Sequence, residues 1–151
     1  MSIRKNVRLS ESQYYHSIRE YFQTMVMDDW SKVPFGITNS CYYGKTAAEA
    51  AFQLVVDWHR LGFDLKNKTL WFLDLGSGVG RFAYYFLKHF NELLSESDVY
   101  DIKFRYILAD LSPESVRFCQ SHPKLQSFFD ARQLEAHCID FLDLEAFLET
   151  L

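Results

Sequence analysis

The apolar positions of the chain change their spacing about 70 residues in. Before that point they recur at helical intervals. Tyr15, Ile18, Phe22 and Met25 fall three or four apart, with Glu11, Arg19, Glu20 and Gln23 between them. This is the pattern of an amphipathic helix with one face against the rest of the chain. Ser10 and Gln13 have the spacing of a capping box, so the helix is expected to start at Ser10. A second stripe, Ala47, Ala51, Leu54, Val55, Trp58 and Leu61, follows another capping-box spacing, Thr46-Ala47-Ala48-Glu49. It closes at Gly62, where helices commonly end in a left-handed turn. His59 stands near that end, where a cation suits the helix dipole, and reads as structural. The intervening Val33-Pro34-Phe35-Gly36-Ile37-Thr38-Asn39-Ser40 is a loop by its Pro, Gly and Asn content.

From Leu70 onward the apolar residues come in short runs. Leu70-Trp71-Phe72-Leu73-Asp74-Leu75 ends near an acid, and Gly76-Ser77-Gly78-Val79-Gly80 follows. Helical spacing then resumes through Phe82, Ala83, Phe86, Leu87, Phe90, Leu93 and Leu94. This predicts a strand, a tight turn and a helix. Phe104-Arg105-Tyr106-Ile107-Leu108-Ala109-Asp110 reads as a second strand, again closing on an acid. Ser112-Pro113-Glu114 is a helix start, with a cap residue, proline at the first helical position and an acid in the first turn. That helix should stop before His122-Pro123, and a short helical piece should cover 125–132. The stretch 134–141 is expected as a third strand, entering a loop at Asp140, with a last helix from Asp143. Strands alternating with helices predict an α/β fold with a parallel sheet of about three strands and flanking helices. Residues 1–62 are expected as an N-terminal helical extension packing on a core made by residues 63–151.

Composition narrows the class. A chain of 151 residues with 48% hydrophobic and 17% aromatic content can build one real core. A net charge of -4 gives no basic field, so nucleic acid is not favoured as a partner. Cys41, Cys119 and Cys138 are widely spaced and odd in number, which fits reduced thiols and gives no metal-ligand pairing. No apolar run approaches the roughly 20 residues that span a bilayer, and the basic N-terminus lacks the apolar region of a secretory signal. A cytoplasmic location with no membrane partner is expected, and no metal.

The chemistry is concentrated in the glycine turn. Glycines let a ligand lie on the main chain, and the helix that follows aims its N-terminus at it. The dinucleotide fingerprint G-x-G-x-x-G would place its last glycine at residue 81, which is Arg81, and this disfavours a nicotinamide oxidoreductase. The sequence instead reads G-x-G-x-G, with an acid two positions ahead. Asp74-Leu75-Gly76-Ser77-Gly78-Val79-Gly80 resembles the first motif of the class I S-adenosylmethionine-dependent methyltransferases. A glycine-rich turn without a ligand is the alternative.

The resemblance covers about residues 70–141 and implies a truncated, Rossmann-like class I methyltransferase fold with S-adenosylmethionine as cofactor. Asp74 would hold the ammonium end of this small-molecule methyl donor. Gly76, Ser77, Gly78 and Gly80 would offer backbone contact. Asp110 stands where the family carries its ribose-binding acid, and an acid at the end of a second strand can accept both ribose hydroxyls. A capping or turn aspartate is the other reading. Leu111 would lie against the adenine face. Asp140 and Phe141 match the family's adenine pocket in type and order, or else are a turn aspartate and a core phenylalanine. Thr38, Asn39, Tyr42 and Tyr43 precede the fold where the family folds a segment over the cofactor. The segment 34–44 loosely resembles that of MidA-type protein arginine methyltransferases, which would make the acceptor a protein.

The half of the fold with the acceptor site has no counterpart here. No catalytic base is assigned; Tyr42, Tyr43 and His59 are only available polar groups. The first strand would then have an open edge, to be covered by a second copy of the chain, by a missing C-terminal half or by the N-terminal segments. A non-catalytic, degenerate methyltransferase-like module for binding or assembly is the rival function.

Overall fold

The computed structural model describes residues 7–24, 40–99 and 101–149. Met25, the loop residues 33–39 with Thr38 and Asn39, and the side chain of Phe141 lie outside the described part. The elements run α1 (Gln13–Thr24), α2 (Cys41–Arg60), β1 (Thr69–Leu75), α3 (Arg81–Ser95), β2 (Lys103–Asp110), α4 (Pro113–Ser121), α5 (Pro123–Asp130), β3 (Leu134–Cys138) and α6 (Leu144–Leu148). Short 3-10 turns cover Leu9–Glu11 and Phe141–Asp143.

The strands form one parallel sheet in the order β1-β2-β3. Leu70 lies opposite Phe104 and Leu75 opposite Ala109; Tyr106 lies opposite Leu134 and Asp110 opposite Cys138. Parallel neighbours need a crossover, and α3 and then α4–α5 supply the two. The chain is therefore α/β, with a small three-stranded parallel sheet and flanking helices.

Alternation along each strand selects one face for the core. Leu70 and Phe72, then Phe104, Tyr106 and Leu108, then Leu134 and Ala136 meet Ala83, Phe86, Leu87, Phe90 and Leu94 of α3. The centre is aromatic. The Phe72 ring lies 5.1 Å from that of Phe86 and 5.2 Å from that of Phe90, both edge-on, the arrangement that ring quadrupoles favour. Helix α2 runs beside α3 and adds Ala48 and Val55 to the same core. The two helices approach most closely at Gly44. A Cβ there would stand 2.7 Å from Tyr85 Cβ and 3.0 Å from the Phe82 carbonyl oxygen, so no larger residue fits.

Several boundaries differ from the sequence expectation. Ser12, not Ser10, caps α1, its hydroxyl accepting from the Tyr15 N–H at 3.1 Å, because Leu9–Glu11 turns as a 3-10 helix. Helix α2 starts at Cys41 with Ser40 as cap; Thr46 lies inside it, since the added turn carries Gly44 onto α3. Leu54 and Leu61 are 48% and 74% exposed, and Phe52 and Val56 pack on the core instead. Helix α5 begins at Pro123, two residues before the expected start, because the His122 ring accepts from the Lys124 N–H and caps it. Strand β3 stops at Cys138 because β2 ends at Asp110, whose carbonyl takes the Ile139 N–H at 2.9 Å. Asp140 and Phe141 thus lie beyond the strand. Among the described residues no helix is long and apolar enough to cross a membrane.

Candidate functional site

The turn after β1 is built from backbone. Gly76, Gly78 and Gly80 have φ of 75°, 55° and 70°, the left-handed region that side chains disfavour. The Gly76 and Ser77 N–H groups both donate to the Ala109 carbonyl of β2, at 2.8 and 3.2 Å. The turn is thereby tied to the neighbouring strand. Gly80 has a second constraint: a Cβ there would stand 3.0 Å from both Cys119 Sγ and Leu125 Cδ1.

Asp110 holds the middle of the turn. Its Oδ2 accepts from the Gly78 N–H at 2.8 Å and its Oδ1 from the Ser112 N–H at 2.8 Å. The residue is 6% exposed. Each carboxylate oxygen has a second lone-pair direction, so acceptor capacity remains after both bonds. On the other side of Gly78, the Cys119 thiol donates to its carbonyl at 3.4 Å. Burial, and then the carboxylates of Asp110 and Asp74, push the Cys119 pKa up to about 12. It stays a thiol and serves as a donor, not a nucleophile.

Asp74 faces the same side of the sheet. The Tyr106 hydroxyl donates to its Oδ2 at 3.2 Å. Burial raises its pKa to about 6; the Tyr106 bond opposes that rise and the nearby Asp110 carboxylate adds to it. Burial and the Asp74 charge likewise raise the Tyr106 pKa, so the phenol keeps its proton.

The structure thus gathers Asp74, Gly76, Ser77, Gly78, Gly80 and Asp110 around one turn. Leu111 follows β2, half-buried, its carbonyl accepting from the Cys138 thiol at 3.6 Å. Asp140 is joined to this end of the sheet through its neighbour Ile139, which bonds Asp110. Its carboxylate has partners of its own. Oδ1 accepts from the Leu142 N–H at 3.1 Å, and Oδ2 pairs with Arg19 of α1. Tyr42 and Tyr43 are exposed on the first turn of α2, and His59 is exposed on its last. Among the described residues no cluster of His, Cys, Asp and Glu could hold a metal ion.

Tyr106, Cys119 and Arg19 carry weight at this site that sequence reasoning missed. Tyr106 had a signal: it alternates with Leu108 and Asp110 and so shares their face. Cys119 and Arg19 had none, since only packing brings them to Gly78 and Asp140.

A cavity of about 310 Å³ shares Gly80 with these residues but includes neither Asp110 nor Asp140. It lies between the first turn of α3 and the α4–α5 junction. In doubly wound sheets the cofactor crevice forms where strands on either side of the turn send their helices to opposite faces. β1 has one strand neighbour among the described residues, so nothing described closes such a crevice. No family model matches the chain, and neither a curated protein nor a solved structure matches it.

Proposed function

We propose that the glycine turn binds S-adenosylmethionine, within a Rossmann-like class I methyltransferase scaffold that holds the cofactor-binding half. The observation that carries this reading is the bare, left-handed main chain of Gly76, Gly78 and Gly80 with the Asp110 carboxylate 2.8 Å from the Gly78 N–H. Asp110 would take the ribose hydroxyls on its remaining lone pairs and Asp74 the ammonium group. Leu111, Asp140 and Phe141 would bound the adenine. Transfer would be an in-line displacement at the sulfonium methyl, driven by position and electrostatics without covalent help. The acceptor is unassigned, with protein as the class that 34–44 suggests. Free thiols at Cys41, Cys119 and Cys138 fit a reducing cytoplasm.

A second reading has specific support. Both oxygens of Asp110 already hold backbone N–H groups, and Asp140 is paired with Arg19. Acids employed in this way suit a module that keeps the half-fold for binding or assembly, without methyl transfer.

Titration calorimetry with S-adenosylhomocysteine and with NAD separates the readings. Heat from the first alone supports cofactor binding; silence from both supports the assembly module. In Asp110→Asn, shown folded by circular dichroism, S-adenosylhomocysteine affinity should fall about tenfold or more, the loss of a charge-assisted hydrogen bond. Unchanged affinity would remove Asp110 from the site.

A further inference from the structure

We infer that the chain has a second ligand site, for a flat organic phosphate, in the cavity between the first turn of α3 and the α4–α5 junction. Its volume of about 310 Å³ is in the range of small-molecule pockets, at the low end of roughly 300–1,000 Å³. That is room for one ring with its phosphate. Arg81, His122 and Lys124 line it, with Tyr84, Tyr85 and Phe118, and no carboxylate does. In a chain of net charge -4 this is a local reversal of sign.

The Arg81 cation is poorly placed unless an anion joins it. Arg81 is the first residue of α3, at the positive end of the helix dipole, and Gly80 provides no side-chain cap. A cation there is disfavoured, and an anion is favoured. The aromatic wall holds the charges in position. The Arg81 guanidinium lies 6.0 Å from the Tyr85 ring centroid and the Lys124 ammonium 5.6 Å from that of Tyr84, both within cation–π range. His122 Nδ1 accepts from the Lys124 N–H at 3.2 Å, which places the ring proton on Nε2 as a donor. The Phe118 and His122 rings lie 5.2 Å apart at an interplanar angle of 58°, so each offers a separate aromatic face beside the donors. Oxyanion donors and aromatic faces in one small cavity select a phosphate monoester on a planar group. This site does not depend on the cofactor reading.

The test uses the full chain and nitrogen-15 NMR, with phenyl phosphate, inorganic phosphate and benzyl alcohol as probes. Phenyl phosphate should shift the amide signals of Arg81, Tyr84 and Lys124. It should bind more tightly than inorganic phosphate, and benzyl alcohol should bind least. Lys124→Gln, and His122→Asn with a capping residue kept, should each weaken phenyl phosphate about tenfold. S-adenosylhomocysteine binding should be unaltered in both variants. Three results would overturn the proposal: no shifts at these positions, equal affinity in Lys124→Gln, or shifts confined to residues 76–78. Loss of S-adenosylhomocysteine binding alone, with phenyl phosphate retained, would count only against the cofactor reading.

Discussion

Strands β1 and β2 carry the same kind of sequence, an apolar run that closes on an aspartate, and they lie side by side in register. Their surroundings differ. From Tyr106 to Asp110 no residue of β2 is more than 6% exposed, whereas Trp71 and Leu75 of β1 are 43% and 44% exposed. The reason is position: β2 has a strand on each side and β1 has one among the described residues. The two aspartates diverge in the same way. Asp110 sits deeper, yet two backbone N–H groups point at its carboxylate. Asp74 has one phenol, and burial drives its pKa to about 6. Backbone N–H donors offset part of the cost of burying a carboxylate.

The largest test of this contrast is at Ile107, fully buried in β2. Ile107→Ala should cost about 2–5 kcal/mol in chemical denaturation, the range for truncating a buried aliphatic residue. A loss near that of an exposed site would mean β2 is not enclosed. Next is Asp110→Ala, which strands the Gly78 and Ser112 N–H groups. A destabilisation of about 2 kcal/mol or more is expected, from at least about 1 per buried orphan donor.

Asp74 should act in the opposite direction. Its ordinary pKa is 3.8 and its folded value about 6, so between those pH values the folded chain binds more protons than the unfolded one. The contribution of Asp74 to stability should be fullest below about pH 4 and be lost as pH rises through 6, by about 3 kcal/mol in all. Asp74→Asn should flatten that slope in thermal denaturation followed across pH. Tyr106→Phe, which removes the opposing hydrogen bond, should move the slope to higher pH. The smallest change should come from Leu75→Ala at the exposed end of β1, below about 1 kcal/mol by denaturant midpoint. A cost equal to that of Ile107→Ala would show that β1 is as enclosed as its neighbour.

Much of this was legible in the residues. The strand–turn–helix at Leu70 to Leu94, the second strand ending at Asp110 and the Ser112-Pro113 helix start all follow from local rules. Period, glycine placement and capping chemistry act within a few residues, so they survive without knowledge of the fold. The caps of α1 and α2 did not follow. Ser10 and Ser12 both suit a cap, and the choice turned on a 3-10 turn. Helix α2 gained its first turn from Gly44 meeting Tyr85, a contact between residues far apart in the chain.

What the residue order determined, then, is the local grammar: an α/β chain with a bare glycine turn and acids at two strand ends. Only the tertiary structure decided what those acids face. Asp110 found the Gly78 N–H, Asp140 found Arg19, and Asp74 found Tyr106. It also set Arg81, His122 and Lys124 around one cavity. A short-range pattern specifies conformation, whereas the field at a charged group is set by atoms that packing brings from elsewhere in the chain.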